Sequence, residues 1–263
     1  MKPLKSMEEV LAELREKTRL HIDQSSETTP TSTSRTYKCE ECQDKGVVFI
    51  SNDTVRLCHC VRNRKRERLF RQSGITADFQ QLTFRGFDQN RPEPILDMLR
   101  AAVKYRREFQ NLKGSRQNSI LLSGSPGSGK THLLAAISNE LIAEELQEVI
   151  YFPYAEGFDA LRSDLDSSGE KIRAMKECDV LFLDDLFKTR SGDRPTKYQL
   201  DVVYSVVNAR YMNHRPLLVS TELSAADLLN VDEATASRII EMAKDFRMHI
   251  EGDPMLMNWR LVE

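Results

Sequence analysis

Apolar and polar positions follow two alternating patterns between residues 93 and 250. Short apolar runs predict β-strands, and longer stretches with an apolar residue at every third or fourth position predict helices between them. The strands are expected at 120–122, 149–152, 178–183, 216–220 and 247–250. The helices are expected at 93–112, 132–146, 156–165, 198–211, 225–229 and 233–246. Because strands and helices alternate, we expect an α/β fold, with a parallel sheet flanked by helices.

The chain before residue 93 is organised differently. Residues 3–21 carry an apolar stripe at helical spacing, which predicts a short amphipathic helix that packs on the next module or docks on a partner protein. Nine of the twelve residues from Ser25 to Thr36 are Ser or Thr, a composition typical of a flexible linker. We therefore expect an N-terminal helix and a linker over residues 1–36.

A glycine-rich motif follows the strand expected at 120–122. Gly124, four further residues and Gly129-Lys130-Thr131 lead into a helix, which is the spacing of a phosphate-binding P-loop. Glycines let backbone N–H groups turn onto phosphate oxygens, and the helix adds the positive end of its dipole. A chance glycine turn is the alternative, but it would rarely stand between a strand and a helix. The expected loop residues are Gly124, Ser125, Pro126, Gly127, Ser128, Gly129, Lys130, Thr131 and His132.

The chemistry of a nucleoside triphosphate site assigns roles to several of these residues. Lys130 is expected to reach the β and γ phosphates, and the hydroxyl of Thr131 to bind Mg²⁺. Asp184 and Asp185 end the strand expected at 178–183, where Asp184 would hold Mg²⁺ through water and Asp185 would polarise the attacking water. An acidic pair after a strand can also be a simple helix cap. The next strand ends in Thr221-Glu222, where a polar residue could sense the γ-phosphate or the attacking water.

Four cysteines near the linker form a second candidate site. Cys39 and Cys42 have C-x-x-C spacing, and a hairpin with strands at 47–50 and 54–57 would bring Cys58 and Cys60 back to them. Four thiolates suit tetrahedral Zn²⁺, and so small a unit with few apolar side chains needs a bound metal to stabilise its fold. A site closed by four protein ligands is structural and not catalytic. A redox pair is the alternative for the C-x-x-C, and His59 could replace one cysteine as a ligand.

The stretch after Cys60 is strongly basic. Its cations form a solvated helix face or contact DNA phosphates or an acidic partner; they are Arg62, Arg64, Lys65, Arg66, Arg68 and Arg71. The bridge at 74–88 carries three aromatic residues, Phe79, Phe84 and Phe87, which are expected to seal the edge of the next domain. The backbone near Leu82 and Thr83 could also border an adenine pocket.

Composition narrows the class of protein. At 263 residues and 40% hydrophobic, the chain can bury one core of ordinary size and a smaller appendage. The formal charge of −2 confines any nucleic-acid surface to a local patch. No apolar window of about 18 residues predicts a membrane span, and the N-terminus lacks the pattern of a secretory signal. We therefore expect a cytoplasmic protein with no membrane contact.

Several motifs together resemble one family. GSPGSGKTHL, LFLDDL, VVNARYMNHRPLLVSTELS and EATASRIIEM, preceded by CEEC…CHC and GITADFQQLTF, look like the DnaC/DnaI group of AAA+ helicase loaders. The resemblance implies an AAA+ P-loop NTPase fold with little or no lid, preceded by a small zinc-knuckle domain. It also implies that Arg238 is an arginine finger for a neighbouring subunit. Ser220-Thr221-Glu222 stands where the group usually has Thr-Ser-Asn, so Thr221 would hold the water.

The resemblance implies a function and a division of the chain. The cofactors would be ATP, Mg²⁺ and Zn²⁺, and the protein would load a hexameric replicative DNA helicase onto DNA, with ATP as a switch. Residues 37–72 would form the zinc-binding, helicase-interacting module, 73–92 a bridge, and 93–263 the AAA+ ATPase domain that binds single-stranded DNA and self-associates in a ring or spiral. The alternatives are an IstB-type accessory ATPase of transposition and a weakly hydrolysing helicase-binding regulator.

Overall fold

The computed structural model describes residues 36–51, 54–189 and 192–261 of the chain. The helix expected at 3–21 and nearly all of the expected linker lie outside these residues. The described residues divide into two compact units, the first ending at Lys45 and the second beginning at Gly46. The predicted domain boundaries themselves stay predictions.

In the first unit, residues 36–45 form a series of turns closed by one carboxylate. Asp44 accepts hydrogen bonds from the backbone N–H groups of Lys38 at 3.0 Å and Cys39 at 3.1 Å. The backbone N–H of Lys45 donates to the carbonyl of Cys42 at 3.0 Å. These bonds fix the loop that carries Cys39 and Cys42, and both side chains are buried.

The second unit begins with the expected hairpin. Strands β1 (Val47–Ser51) and β2 (Thr54–Leu57) pair antiparallel, with Val47 opposite Leu57. Helix α1 (His59–Gln72) follows at once and contains the whole basic stretch. It packs through the buried Leu69, and the guanidinium of Arg62 donates to the carbonyl of Glu144 at 2.6 Å.

A five-stranded parallel sheet forms the centre of this unit. Its strands follow the order β4-β5-β6-β3-β7, so the chain crosses the sheet between non-neighbouring strands. The strands expected from the sequence are confirmed, with ends shifted by at most two residues. They are β3 (Ile120–Gly124), β4 (Val149–Pro153), β5 (Val180–Asp184), β6 (Leu217–Thr221) and β7 (Arg247–Ile250).

Helices cover the sheet. They are α2 (Ala77–Gln80), α3 (Glu93–Leu112), α4 (Lys130–Glu145), α5 (Tyr154–Ser163), α6 (Leu165–Glu177), α7 (Lys197–Met212), α8 (Ala225–Val231), α9 (Glu233–Met242) and α10 (Pro254–Met257), with a 3₁₀ turn at Trp259–Leu261. Among the helices of the described ranges, none is long and apolar enough to cross a membrane.

Two of the predicted helices were wrong in extent. The helix expected at 156–165 ends at Ser163, because Asp164 leaves helical geometry and caps α6 by accepting from the N–H of Ser167 at 3.3 Å. Helix α6 itself was not predicted. The helix expected at 233–246 ends at Met242, because the carbonyl of Met242, which a longer helix would offer to the N–H of Phe246, accepts from the N–H of Ser119 at 3.0 Å.

The core lies on both faces of the sheet. Successive strand residues point to opposite faces, so Ile120 and Leu122 belong to one buried cluster and Leu121 to the other. Helices α3 and α4 cover the first face, and α5, α7 and α9 the second. This two-sided covering explains why the strands read as continuous apolar runs.

A buried arginine fastens one end of the sheet. Arg210 of α7 is fully buried and donates to four backbone carbonyls, those of Met175 at 2.8 Å, Cys178 at 3.0 Å, Asp179 at 3.1 Å and Pro216 at 2.8 Å. The carbonyl of Met175 lies in the last turn of α6, and the other three stand just before β5 or β6, so the guanidinium joins the starts of two strands. Burial lowers the pKa of Arg210, although a guanidinium keeps its charge in proteins.

Candidate nucleotide and metal sites

The loop between β3 and α4 requires glycine at its two ends. Gly124 has a φ of +110°, and a Cβ there would lie 2.0 Å from the carbonyl oxygen of Ile250 in β7. Gly129 has a φ of +93°, and a Cβ there would lie 2.6 Å from the ring of Phe87. The first end is thus closed by β7 and the second by the aromatic bridge, which fixes the path of the loop.

Lys130 folds back into this loop. Its ammonium donates to the carbonyls of Gly124 and Ser125, each at 2.8 Å, and the residue is buried. Burial lowers the pKa of Lys130. The loop therefore holds a desolvated cation at its centre, where the sequence predicts phosphate groups.

Asp184 accepts hydrogen bonds from three hydroxyl groups. Its Oδ1 lies 2.9 Å from Oγ1 of Thr131 and 2.5 Å from Oγ of Ser220, and its Oδ2 lies 3.1 Å from the hydroxyl of Tyr151. Burial raises the pKa of this carboxyl, and the hydrogen bonds oppose that shift. The structure thus brings together Thr131 and Asp184, the two residues expected to hold Mg²⁺, whereas Tyr151 and Ser220 were not expected from the sequence.

Asp185 begins the turn that follows β5. Its φ of +53° is rare for a residue with a side chain, and its N–H donates to the hydroxyl of Ser220 at 2.8 Å. Its carboxylate lies 3.2 Å from the ammonium of Lys188, which lies 2.6 Å from the carboxylate of Glu222. Burial opposes the charge of Lys188, but Glu222 and Asp185 outweigh it and raise the pKa of the ammonium. Lys188 is a charged member of the site that the sequence motifs did not reveal.

Thr221 is buried at the end of β6. Its hydroxyl donates to the carbonyl of Leu186 at 2.9 Å and accepts from the N–H of Leu223 at 3.2 Å. The hydroxyl therefore fastens the turn after β5 to the turn after β6. Its expected role in holding a water stays a prediction.

Arg238 lies against helix α7 and not in the phosphate loop. Its Nε donates to the side chain of Asn208 at 3.0 Å, and another N–H donates to the carbonyl of Ala234 at 2.6 Å. The guanidinium lies 5.3 Å from the ring of Tyr204 and 5.5 Å from that of Tyr211, within the range of cation–π attraction. These contacts hold the arginine on the surface of its own subunit, and its role as a finger stays a prediction.

The bridge before α3 is fastened to α4. Asn139 donates to the carbonyls of Phe79 at 2.8 Å and Leu82 at 2.9 Å, and Nε2 of His132 lies 2.9 Å from the carbonyl of Thr83. Phe87 is buried, while Phe79 and Phe84 are partly buried against the same core. The expected sealing of the domain edge is confirmed, and the adenine contact stays a prediction.

The four cysteines of the expected zinc site form one cluster. The Sγ atoms of Cys39, Cys42, Cys58 and Cys60 all lie within 4.8 Å of one another, and all four residues are buried. Four thiol groups at this separation fit a tetrahedral zinc site of the zinc-knuckle kind. His59 is exposed and belongs to an overlapping group with Glu41 and Cys58. Its role as a replacement ligand stays a prediction.

Comparison with known proteins identifies the family. The model of the bacterial DnaA ATPase domain matches residues 98–242. The phage-like element PBSX protein XkdC of Bacillus subtilis is 41% identical over 263 residues, which cover 98% of this chain and 97% of that protein. YqaM of the same organism, a protein without an assigned role, is 48% identical over 206 residues, which cover 78% of this chain and only 66% of YqaM.

A solved structure shares the fold. The crystal structure of the DnaC helicase loader superimposes with a TM-score of 0.57 at 20% identity, over 67% of this chain and 100% of that one. At this identity the likeness concerns the fold, and it agrees with the parallel sheet and P-loop described above. The chain therefore belongs to the family of the bacterial DnaA ATPase domain.

Proposed function

We propose that this protein loads a hexameric replicative DNA helicase onto DNA in an ATP-dependent manner. The observation that carries the proposal is the 2.9 Å contact between Thr131 and Asp184, since it joins the P-loop to the acidic strand as a nucleotide switch requires. The shared fold with a helicase loader and the cysteine cluster support the same function. The protein would act in the cytoplasm.

In this proposal each residue of the nucleotide site has its own role. Lys130 leaves the carbonyls of Gly124 and Ser125 to bind the β and γ phosphates. Thr131 and Asp184 hold Mg²⁺, which neutralises phosphate charge when bound. Asp185 polarises the attacking water. Hydrolysis is slow and stimulated by single-stranded DNA, because ATP serves as an assembly and release switch.

The cysteine cluster holds Zn²⁺ and stabilises the helicase-interacting module at 37–72 in this proposal. The AAA+ domain at 93–263 binds single-stranded DNA and assembles side by side in a ring or spiral. Each subunit then offers Arg238 to the γ-phosphate of the next, as a trans arginine finger does. A regulator that binds the helicase without turnover is the competing function, favoured by the Lys188–Glu222 pair at the sensor position.

Lys130→Ala is expected to weaken ATP binding at least about tenfold, because a charged donor to the phosphates is lost. Titration calorimetry with Mg²⁺-ATP measures the change. Lys104→Ala is the matched control, because Lys104 lies in an exposed pair with Glu108 on α3. Equal ATP affinity in Lys130→Ala and the wild type would contradict the assignment of the P-loop.

Cys42→Ser is expected to reduce bound zinc from about one ion per chain to well below that, because a structural site needs all four ligands. Metal analysis of the purified full chain measures the content. Cys178→Ser provides the control, since Cys178 is buried in the sheet core and donates to the carbonyl of Val180 at 3.3 Å. Zinc well below one ion per chain in the wild type would refute the metal site.

Arg238→Ala is expected to leave ATP affinity unchanged and to remove the part of ATP turnover that rises with protein concentration. The physical reason is that a trans finger acts only between assembled subunits. Turnover measured over a range of protein concentrations tests this. Asn208→Ala separates the two roles of the side chain, because it removes a contact of Arg238 within the subunit and keeps the guanidinium. Unaltered turnover in Arg238→Ala would mean that Arg238 is no finger.

A further inference from the structure

Lys188 forms a charged bridge that the P-loop motifs do not account for. Its ammonium joins the carboxylate of Asp185, at the end of β5, to that of Glu222, at the end of β6. The distances are 3.2 Å and 2.6 Å. Two backbone hydrogen bonds fix the turn that carries Lys188. The N–H of Lys188 donates to the carbonyl of Asp185 at 3.0 Å, and the N–H of Leu186 donates to the carbonyl of Ser220 at 2.8 Å.

The bridge lies at the edge of the sheet that holds the phosphate loop. Strand β6 lies between β3, which leads into the loop, and β5, which carries the acids. Ligands of open parallel sheets bind beyond the carboxyl ends of the strands, which is where Glu222 and Asp185 stand. Burial has the largest effect on the pKa of Lys130 and lowers it, and the charges of Asp185, Glu222 and Lys188 have the next largest effects. These four groups therefore lie within electrostatic range of one another.

The bridge contributes little to the stability of the fold. The side chain of Lys188 is 45% exposed, that of Asp185 40% and that of Glu222 31%. Ion pairs with this exposure stabilise proteins by about 0–1 kcal/mol. The ion pairs of Lys188 with Asp185 and Glu222 therefore matter little for folding.

The pairing of Lys188 with Glu222 matters for the charge that a bound phosphate would meet. A lone carboxylate at Glu222 would face the negative charge of a terminal phosphate and repel it. Pairing with Lys188 cancels the repulsion and places a cation at the same edge. An ammonium group has three N–H donors, and two are directed to Asp185 and Glu222. A third donor is available for a phosphate oxygen.

We propose that Lys188 binds the terminal phosphate of a nucleoside triphosphate, with Glu222 as the residue that positions it. The pair thus supplies a cation where the resemblance to the DnaC/DnaI group leads us to expect the neutral side chain of an asparagine. The pair then distinguishes a triphosphate from a diphosphate, which has no phosphate at this place. This inference rests on the proposed nucleotide site and adds to it a residue that reads the state of the nucleotide.

The test compares nucleotide affinities of the full chain by titration calorimetry with Mg²⁺. The ligands are ADP and a non-hydrolysable ATP analogue, and the variants are Lys188→Ala, Lys188→Arg and Lys171→Ala. Lys171 is the matched control, since it is 46% exposed and pairs with Asp164 at 3.0 Å. Thermal unfolding without nucleotide shows whether each variant keeps the wild-type stability.

Lys188→Ala is expected to weaken binding of the ATP analogue about tenfold and to change ADP affinity less than about twofold, since one charged donor to the terminal phosphate is lost. Lys188→Arg is expected to restore most of the difference, because it keeps the cation. Lys171→Ala is expected to match the wild type for both ligands.

Two results would overturn the inference. If Lys188→Ala keeps the wild-type ratio of ATP-analogue to ADP affinity, Lys188 does not read the terminal phosphate. If both affinities fall together, Lys188 supports the loop without touching that phosphate. A wild-type chain that binds neither ligand would instead refute the proposed nucleotide function itself, so the two failures are distinguishable.

Discussion

The buried carboxylate of Asp184 is the constraint on which the nucleotide site depends. A carboxylate removed from water is costly unless polar partners satisfy it, and here three hydroxyl groups do so. These hydroxyls come from Thr131 in α4, Tyr151 in β4 and Ser220 in β6, so one side chain on β5 joins three other elements. All three partners are neutral, which leaves the charge of Asp184 available to a cation beside the phosphate loop.

The parts of this site differ in how far the sequence predicts them. Lys130, Thr131 and Asp184 follow from local spacing, because a glycine loop between a strand and a helix and an acid after an apolar run are readable in one dimension. Tyr151, Ser220 and Lys188 follow from no local pattern. They meet the site only because the sheet places β4, β5 and β6 side by side and β6 next to β3, which precedes all three in the chain.

The elements of the fold also differ in how far the sequence predicts them. The strands were predictable because both faces of the sheet are covered and their sequences are continuously apolar. Helix α6 escaped prediction because it has one buried residue, Met175, so its apolar signal is weak. The burial of Arg210 could not be predicted either, since an arginine in a helix is usually solvated and four of its five acceptors are backbone carbonyls that carry no sequence signal.

The central claim is that this protein binds a replicative helicase under the control of ATP. The most direct measurement is affinity capture from a lysate of the source cells with the full chain in ATP or ADP, followed by mass spectrometry of the retained proteins. The account predicts that the replicative helicase is retained, that its amount changes between ATP and ADP, and that Cys39→Ser with Cys42→Ser abolishes it. Retention of a transposase without the helicase, or of no helicase with either nucleotide, would contradict the account.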